Sequence, residues 1–147
     1  MSFLPETEKQ RESRLQSTCH TWFHNELCSL PEFQHLRGLG FMIHNDGAKS
    51  ALTAALDTSR GLIPGIPDWF LSVPCSSPFG TSYHGFYFEF KVGKNKLSPI
   101  QSKRIEQLRA MGYKVAVVDN FEHYKELIMD YLNSPKLPES NPLRLGA

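Results

Sequence analysis

Apolar residues at helical spacing open the readable part of the chain. From Glu12 onward Leu15, Cys19, Trp22, Phe23 and Leu27 recur every three or four positions, which predicts a first helix ending before Pro31. Residues 1–11 are polar and are expected to form a flexible N-terminus. Gly38 and Gly40 punctuate the start of an apolar run over 39–43, read as a strand that closes at the turn Asn45-Asp46-Gly47. A small-residue helix is predicted over 48–56.

Glycines and prolines break up 61–67, and a strand over 68–73 follows, limited by Pro67 to starting there. The Ser-, Pro- and Gly-rich stretch 74–83 reads as a loop, and 84–92 alternates like a strand. Ser98-Pro99-Ile100-Gln101 is a helix-start signature: a serine cap, proline at the first helical position and glutamine at the third. That helix is expected to turn Ile100, Ile105, Leu108 and Met111 to the core and to stop at Gly112. A strand over 113–118 comes next. Asn120 then caps a last helix with Phe121, Tyr124, Leu127, Ile128, Tyr131 and Leu132 on one side. Helices and strands interleave, so the fold class is α/β, with one domain over 12–132 and an extended, proline-bearing tail over 133–147.

Composition narrows the class. The 147 residues are 40% hydrophobic, enough for one core without disulfides or a structural metal. Sixteen Lys and Arg against fifteen Asp and Glu give a net charge of +1, so any nucleic-acid site must be a local patch. No segment reads as a secretory signal or a bilayer span, and three cysteines without framework spacing fit reduced thiols. A cytoplasmic or nucleoid-associated protein, not a membrane protein, is expected.

The chemistry concentrates in Gly85-Phe86-Tyr87-Phe88-Glu89-Phe90-Lys91-Val92. On a strand, Phe86, Phe88 and Phe90 share one face, and Tyr87, Glu89 and Lys91 share the other. By itself Glu-x-Lys reads equally as an ion pair on a solvated face, worth about 0–1 kcal/mol. Pro67-Asp68, at the start of the preceding strand, changes the reading, because a hairpin brings Asp68 beside Glu89. Two such carboxylates repel, and a Mg²⁺ or Mn²⁺ between them resolves the conflict while leaving positions for a phosphate oxygen and a water. Lys91 would orient that water or offset charge on the phosphate. Asp68 as a mere turn cap, and Gln101 as a mere capping-box residue, are the structural alternatives.

Gly65-x-Pro67-Asp68, Glu89-x-Lys91 and Ser98-Pro99-Ile100-Gln101, in this order, resemble the PD-(D/E)xK nuclease superfamily and its virus-type replication-repair branch, the VRR-NUC domain. Further elements add to the likeness: Tyr83-His84-Gly85 before the Glu89 strand and Gly112-Tyr113-Lys114-Val115 after the helix. Asp46 departs from it, since a second glycine is usual there. The resemblance implies a restriction-endonuclease-like core, a mixed β-sheet flanked by helices, and a metal-dependent phosphodiesterase acting on DNA. Asp68, Glu89 and the main-chain carbonyl of Phe90 would ligate Mg²⁺ or Mn²⁺, Lys91 would assist the water, and Gln101 would lie beside the site. Glu12 on the first helix would complete the acidic group, with Glu26 as its rival. The resemblance further implies a standalone domain that pairs as a homodimer and cuts branched DNA in the manner of a Holliday-junction resolvase. A flap or nicking repair endonuclease, a catalytically idle DNA-binding module and an RNA-cleaving relative are the alternatives.

The segment 89–109 carries a local excess of positive charge. Lys94, Lys96, Lys103 and Arg104 are the candidates for tracking DNA phosphates, against a solvated helix face. His20, His24 and Cys28 recur every four residues, which could indicate zinc, although three ligands without a Cys-x-x-Cys favour a surface stripe. Cys75 is expected in a loop without an activating partner. Trp69, Phe70 and Phe79 are read as core or dimer surface.

Overall fold

The computed structural model describes residues 4–44, 50–76 and 82–133. The Asn45-Asp46-Gly47 turn, Phe79 and the tail beyond Asn133 lie outside them.

In chain order the helices are α1 (Glu8–Thr21), α2 (Ala51–Ser59), α3 (Pro99–Ala110) and α4 (Phe121–Leu132). The strands are β1 (Gly40–Met42), β2 (Trp69–Leu71), β3 (Cys75–Ser76), β4 (Ser82–Tyr83), β5 (Phe86–Phe90) and β6 (Lys114–Val118). β1, β2, β5 and β6 form one sheet in that order. Its first two junctions are antiparallel and the last, crossed over by α3, is parallel. The sheet is mixed, as predicted.

α1 begins inside the stretch expected to be flexible. Thr7 and Gln10 make a reciprocal capping box, with Gln10 N–H donating to Thr7 Oγ1 at 3.1 Å and Thr7 N–H to Gln10 Oε1 at 2.8 Å. The helix therefore starts four residues before Glu12. At its other end the bonding widens: Leu27 N–H reaches back to Trp22 O across a π turn, Trp22–Glu26, before a 3₁₀ turn at Leu27–Ser29. A second 3₁₀ segment, Pro31–Leu36, completes the approach to β1.

The core lies between α1, α4 and the phenylalanine face of β5. Phe86, Phe88 and Phe90 are at most 1% exposed, and Trp69 sits among Phe23, Phe88 and Tyr124 with ring centroids 5.3, 5.8 and 5.7 Å away. α4 buries Tyr124, Ile128 and Tyr131, from the side its spacing predicts. α3 packs on β6 from the opposite face and buries Ile105. Met111 does not join it. It is the cap residue rather than a helical one, has left the apolar stripe and is 69% exposed.

Two further expectations change. The predicted loop 74–83 contains the paired strands β3 and β4, and Cys75 is buried in β3. The His20, His24 and Cys28 stripe is not a surface feature: the π turn breaks the four-residue periodicity, and Cys28 is fully buried. His20 and His24 are half-buried and stack at 5.5 Å.

Candidate active site

The register of β2 against β5 builds the site. Trp69 stands opposite Phe88, so one residue further Asp68 stands opposite Glu89 and Pro67 opposite Phe90. Ile43 N–H donates to Asp68 O at 2.8 Å, which turns the Asp68 main chain toward β1 and those of Trp69 and Pro67 toward β5. Phe90 would ordinarily exchange both its main-chain bonds with the residue at position 67. Proline has no N–H to give, and Phe90 N–H donates instead to Asp68 Oδ2 at 2.9 Å. The Pro-Asp pair thus turns a sheet end into a site: the carboxylate takes the donor, and the Phe90 carbonyl on the same edge receives nothing from Pro67.

The approach to Pro67 is fixed by Gly65, whose φ is +86°. A Cβ there would stand 2.8 Å from Ile100 O, so the turn packs directly against the start of α3. Arg104 holds the same turn from α3, its Nε donating to Pro64 O at 3.2 Å.

Glu89 is 2% exposed. Its Oε1 accepts from Gln101 Nε2 at 2.9 Å and lies 3.6 Å from Lys91 Nζ, whereas its Oε2 is buried without a hydrogen-bond partner. Burial first, and the Asp68 carboxylate second, push the Glu89 acid up from 4.5 to about 8, against the pull of Lys91. Asp68 is likewise raised by burial, opposed by the Phe90 N–H and Lys91 and reinforced by the charge of Glu12. Buried Glu89 and half-buried Asp68 share the charge of one lysine, which leaves an uncompensated negative charge whenever both ionise. The orphaned Oε2, the second carboxylate and the open carbonyl form an all-oxygen donor set that fits a hard divalent cation.

Gln101 fulfils both readings. Its Oε1 accepts from Ser98 N–H at 2.9 Å in the capping box, while its Nε2 reaches Glu89. Glu12 is half-buried, and its Oε1 accepts from Asn95 Nδ2 at 2.6 Å and from Val92 N–H at 3.4 Å. It ties α1 to the loop after β5, close enough to act on Asp68. Glu26, its rival, lies fourteen residues along the same helical segment, about 21 Å at α-helical rise, and lines a cleft with Trp22, Phe121 and Lys125. Among the described residues no three His, Cys, Asp or Glu side chains gather closely enough to hold a metal alone. A cation at Asp68 and Glu89 would therefore draw on main-chain and water oxygens.

Lys94 and Lys96, in the loop after β5, and Lys103, on α3, are exposed, while Arg104 is half-buried and engaged with Pro64 and Gln107. Glu8 and Asn95 carry roles that the sequence reading missed. Glu8 Oε1 accepts from Lys94 N–H at 3.0 Å and, with the Glu12 to Asn95 contact, anchors the basic loop to α1. The capping motif Thr7-x-x-Gln10 could have revealed that α1 reaches that far; nothing in the spacing marks Asn95.

Fold and site together define a PD-(D/E)xK-type arrangement: a mixed sheet whose adjacent antiparallel strands bring a Pro-Asp and a Glu-x-Lys to one end. The chain is similar to a solved structure described as a "VRR_NUC domain protein", with 23% identity and a TM-score of 0.62 over 82% of this chain and 87% of that one. Its fold is therefore the VRR-NUC fold, a mixed α/β fold consistent with a restriction-endonuclease-like core. No protein-family model matches the sequence, and no curated protein matches it. Among the described residues no helix is long and apolar enough to cross a membrane.

Proposed function

We propose that the protein is a divalent-metal-dependent DNA endonuclease. The observation that carries the reading is the pairing of half-buried Asp68 with buried Glu89, with Oε2 of Glu89 unpartnered and Lys91 beside it. Asp68, Glu89 and the Phe90 carbonyl would hold Mg²⁺ or Mn²⁺, with Glu12 contributing charge at the rim. Bound there, the cation supplies Lewis acidity toward a phosphate oxygen and lowers the pKa of a water.

The chain's own groups do the rest. Gln101 holds Glu89 by Oε1, and Oε2, which has no hydrogen-bond partner, would be the atom available to a cation. Lys91, whose Nζ lies 3.6 Å from Glu89 Oε1, would orient the attacking water and offset the charge that grows on the phosphate. Exposed Lys94, Lys96 and Lys103 would offer charge to the DNA phosphates, while Arg104, bonded to Pro64 O, would act mainly by fixing the turn before Pro67.

Branched DNA, cut by a homodimer as a Holliday-junction resolvase would cut it, is the favoured substrate, since a two-fold pair presents two such sites to two strands. A nucleoid or cytoplasmic setting goes with that substrate. The test is cleavage of an end-labelled four-way junction and of the matching linear duplex with Mg²⁺ or Mn²⁺. Metal-dependent cutting that disappears in Asp68→Ala supports the proposal. DNA binding without cutting, or equal cutting by Asp68→Ala, contradicts it.

A further inference from the structure

A second feature of the molecule begins where the acidic site ends. Ser13 follows Glu12 on α1, Met42 precedes Ile43, whose N–H meets Asp68 O at 2.8 Å, and a groove of about 370 Å³ runs along α1 and the edge strand β1. On the helix side Ser13, Gln16, Ser17 and His20 share one face at positions i, i+3, i+4 and i+7. On the sheet side lie Phe41, 42% exposed, Met42, 62% exposed, and the buried Trp69.

The chemistry of this lining is particular. None of its residues is an acid, a lysine or an arginine, so it offers no fixed positive charge to a phosphate. It combines an aromatic and thioether wall with hydroxyl and amide groups one turn, about 6 Å, from Glu12. His20 has a fixed tautomer: Trp69 Nε1–H donates to its Nδ1 at 3.1 Å, which leaves the proton of the neutral ring on Nε2. Burial, and then His24, lower the His20 pKa and keep the ring neutral. A flat, neutral ligand with hydrogen-bonding edges suits such a groove, and a strand whose phosphate lies at Asp68 carries one a nucleotide away.

We infer that the groove between α1 and β1 is a subsite for one unpaired nucleobase of the strand whose phosphodiester lies at Asp68 and Glu89. The inference rests on the nuclease reading and deepens it. An extruded base fills the groove only where pairing is already broken, so the subsite favours branch points and gaps over continuous duplex.

The test uses the full chain and DNA with 2-aminopurine as the unpaired nucleotide beside the cut position. In EDTA, where nothing is cleaved, wild-type protein should change the 2-aminopurine fluorescence, and Ser17→Phe, which fills the groove from an exposed position, should abolish the change. With Mg²⁺, Ser17→Phe should lower kcat/KM for the unpaired substrate about tenfold, chiefly through KM, and bring its ratio to the paired substrate toward one. Gln16→Leu should give a smaller KM effect that depends on which base is unpaired, and it decides the question if Ser17→Phe fails to fold. A folded Ser17→Phe protein with unaltered fluorescence response and substrate ratio overturns the inference. So does a change in oligomeric state alone, which would make the groove a contact between copies. Absence of metal-dependent cleavage by the wild type would instead sink the nuclease reading, and the metal-free fluorescence would still report on the groove.

Discussion

The two faces of β5 are built from alternate residues of one five-residue strand and do opposite work. Phe86, Phe88 and Phe90 give their whole surface to the core against Trp69 and Tyr124. On the reverse, Glu89 is as deeply buried as they are, yet it has an oxygen without a partner and a proton it would ordinarily have lost. One face holds the register and the other spends the resulting rigidity on an arrangement that water would not tolerate. Stability and function should therefore separate by residue parity along this strand.

The largest separation is expected from the pair Glu89→Gln and Phe88→Ala. Glu89→Gln should leave the fold intact and lower metal-dependent cleavage on the order of a thousandfold, measured as single-turnover rate. Phe88→Ala should cost about 3–5 kcal/mol in denaturant unfolding, and its cleavage should recover in the fraction that remains folded.

The pH dependence of the metal-free protein sharpens the contrast. Because the Glu89 acid is raised from 4.5 to about 8 in the folded chain, its contribution is fully present below 4.5 and is lost as pH rises toward 8. The thermal midpoint should fall over that window by the equivalent of a few kcal/mol. Glu89→Gln should flatten the decline, and Mg²⁺ should stabilise the wild type more at pH 8 than at pH 5. A midpoint that rises through this window contradicts the assignment.

Gln101 couples the two kinds of work, since one amide caps α3 and holds Glu89. Gln101→Leu should cost about 1 kcal/mol of stability and slow cleavage roughly tenfold or more. Gln101→Glu keeps a capping acceptor but sets a third carboxylate against Glu89, so it should slow cleavage at least as much and lower stability more at pH 8 than at pH 5. The smallest effects belong to the exposed rim. Lys94→Ala and Lys96→Ala should each weaken DNA binding a few-fold and reduce the slope of log affinity against log salt by about 1.

Much of this was legible before any coordinates, and the reason is local. Alternation placed Phe88 and Glu89 on opposite faces, Pro67 marked where a strand must begin, and Ser98-Pro99-Ile100-Gln101 announced a helix start. Each is a signal carried by a few consecutive residues. What escaped depends on distant partners. The widened turn at Trp22–Glu26 redirects Cys28 inward only because a core awaits it, and Met111 matched the apolar period but lies one residue past the helix. Asn95 meets Glu12 across 83 positions of chain, a pairing that no spacing rule contains. The Glu12 and Glu26 alternatives had equal periodicity; in the fold Glu12 meets the loop after β5, while Glu26 lines a cleft with Trp22, Phe121 and Lys125.

The central claim is that Asp68 and Glu89 exchange a retained proton for a divalent cation. Calorimetric titration of Mn²⁺ into the metal-free protein at pH 7, in buffers of differing ionisation enthalpy, measures that exchange directly. The account predicts binding with release of nearly one proton per ion, and in Glu89→Gln much weaker binding with no release. Identical isotherms and proton counts for the two proteins would contradict it.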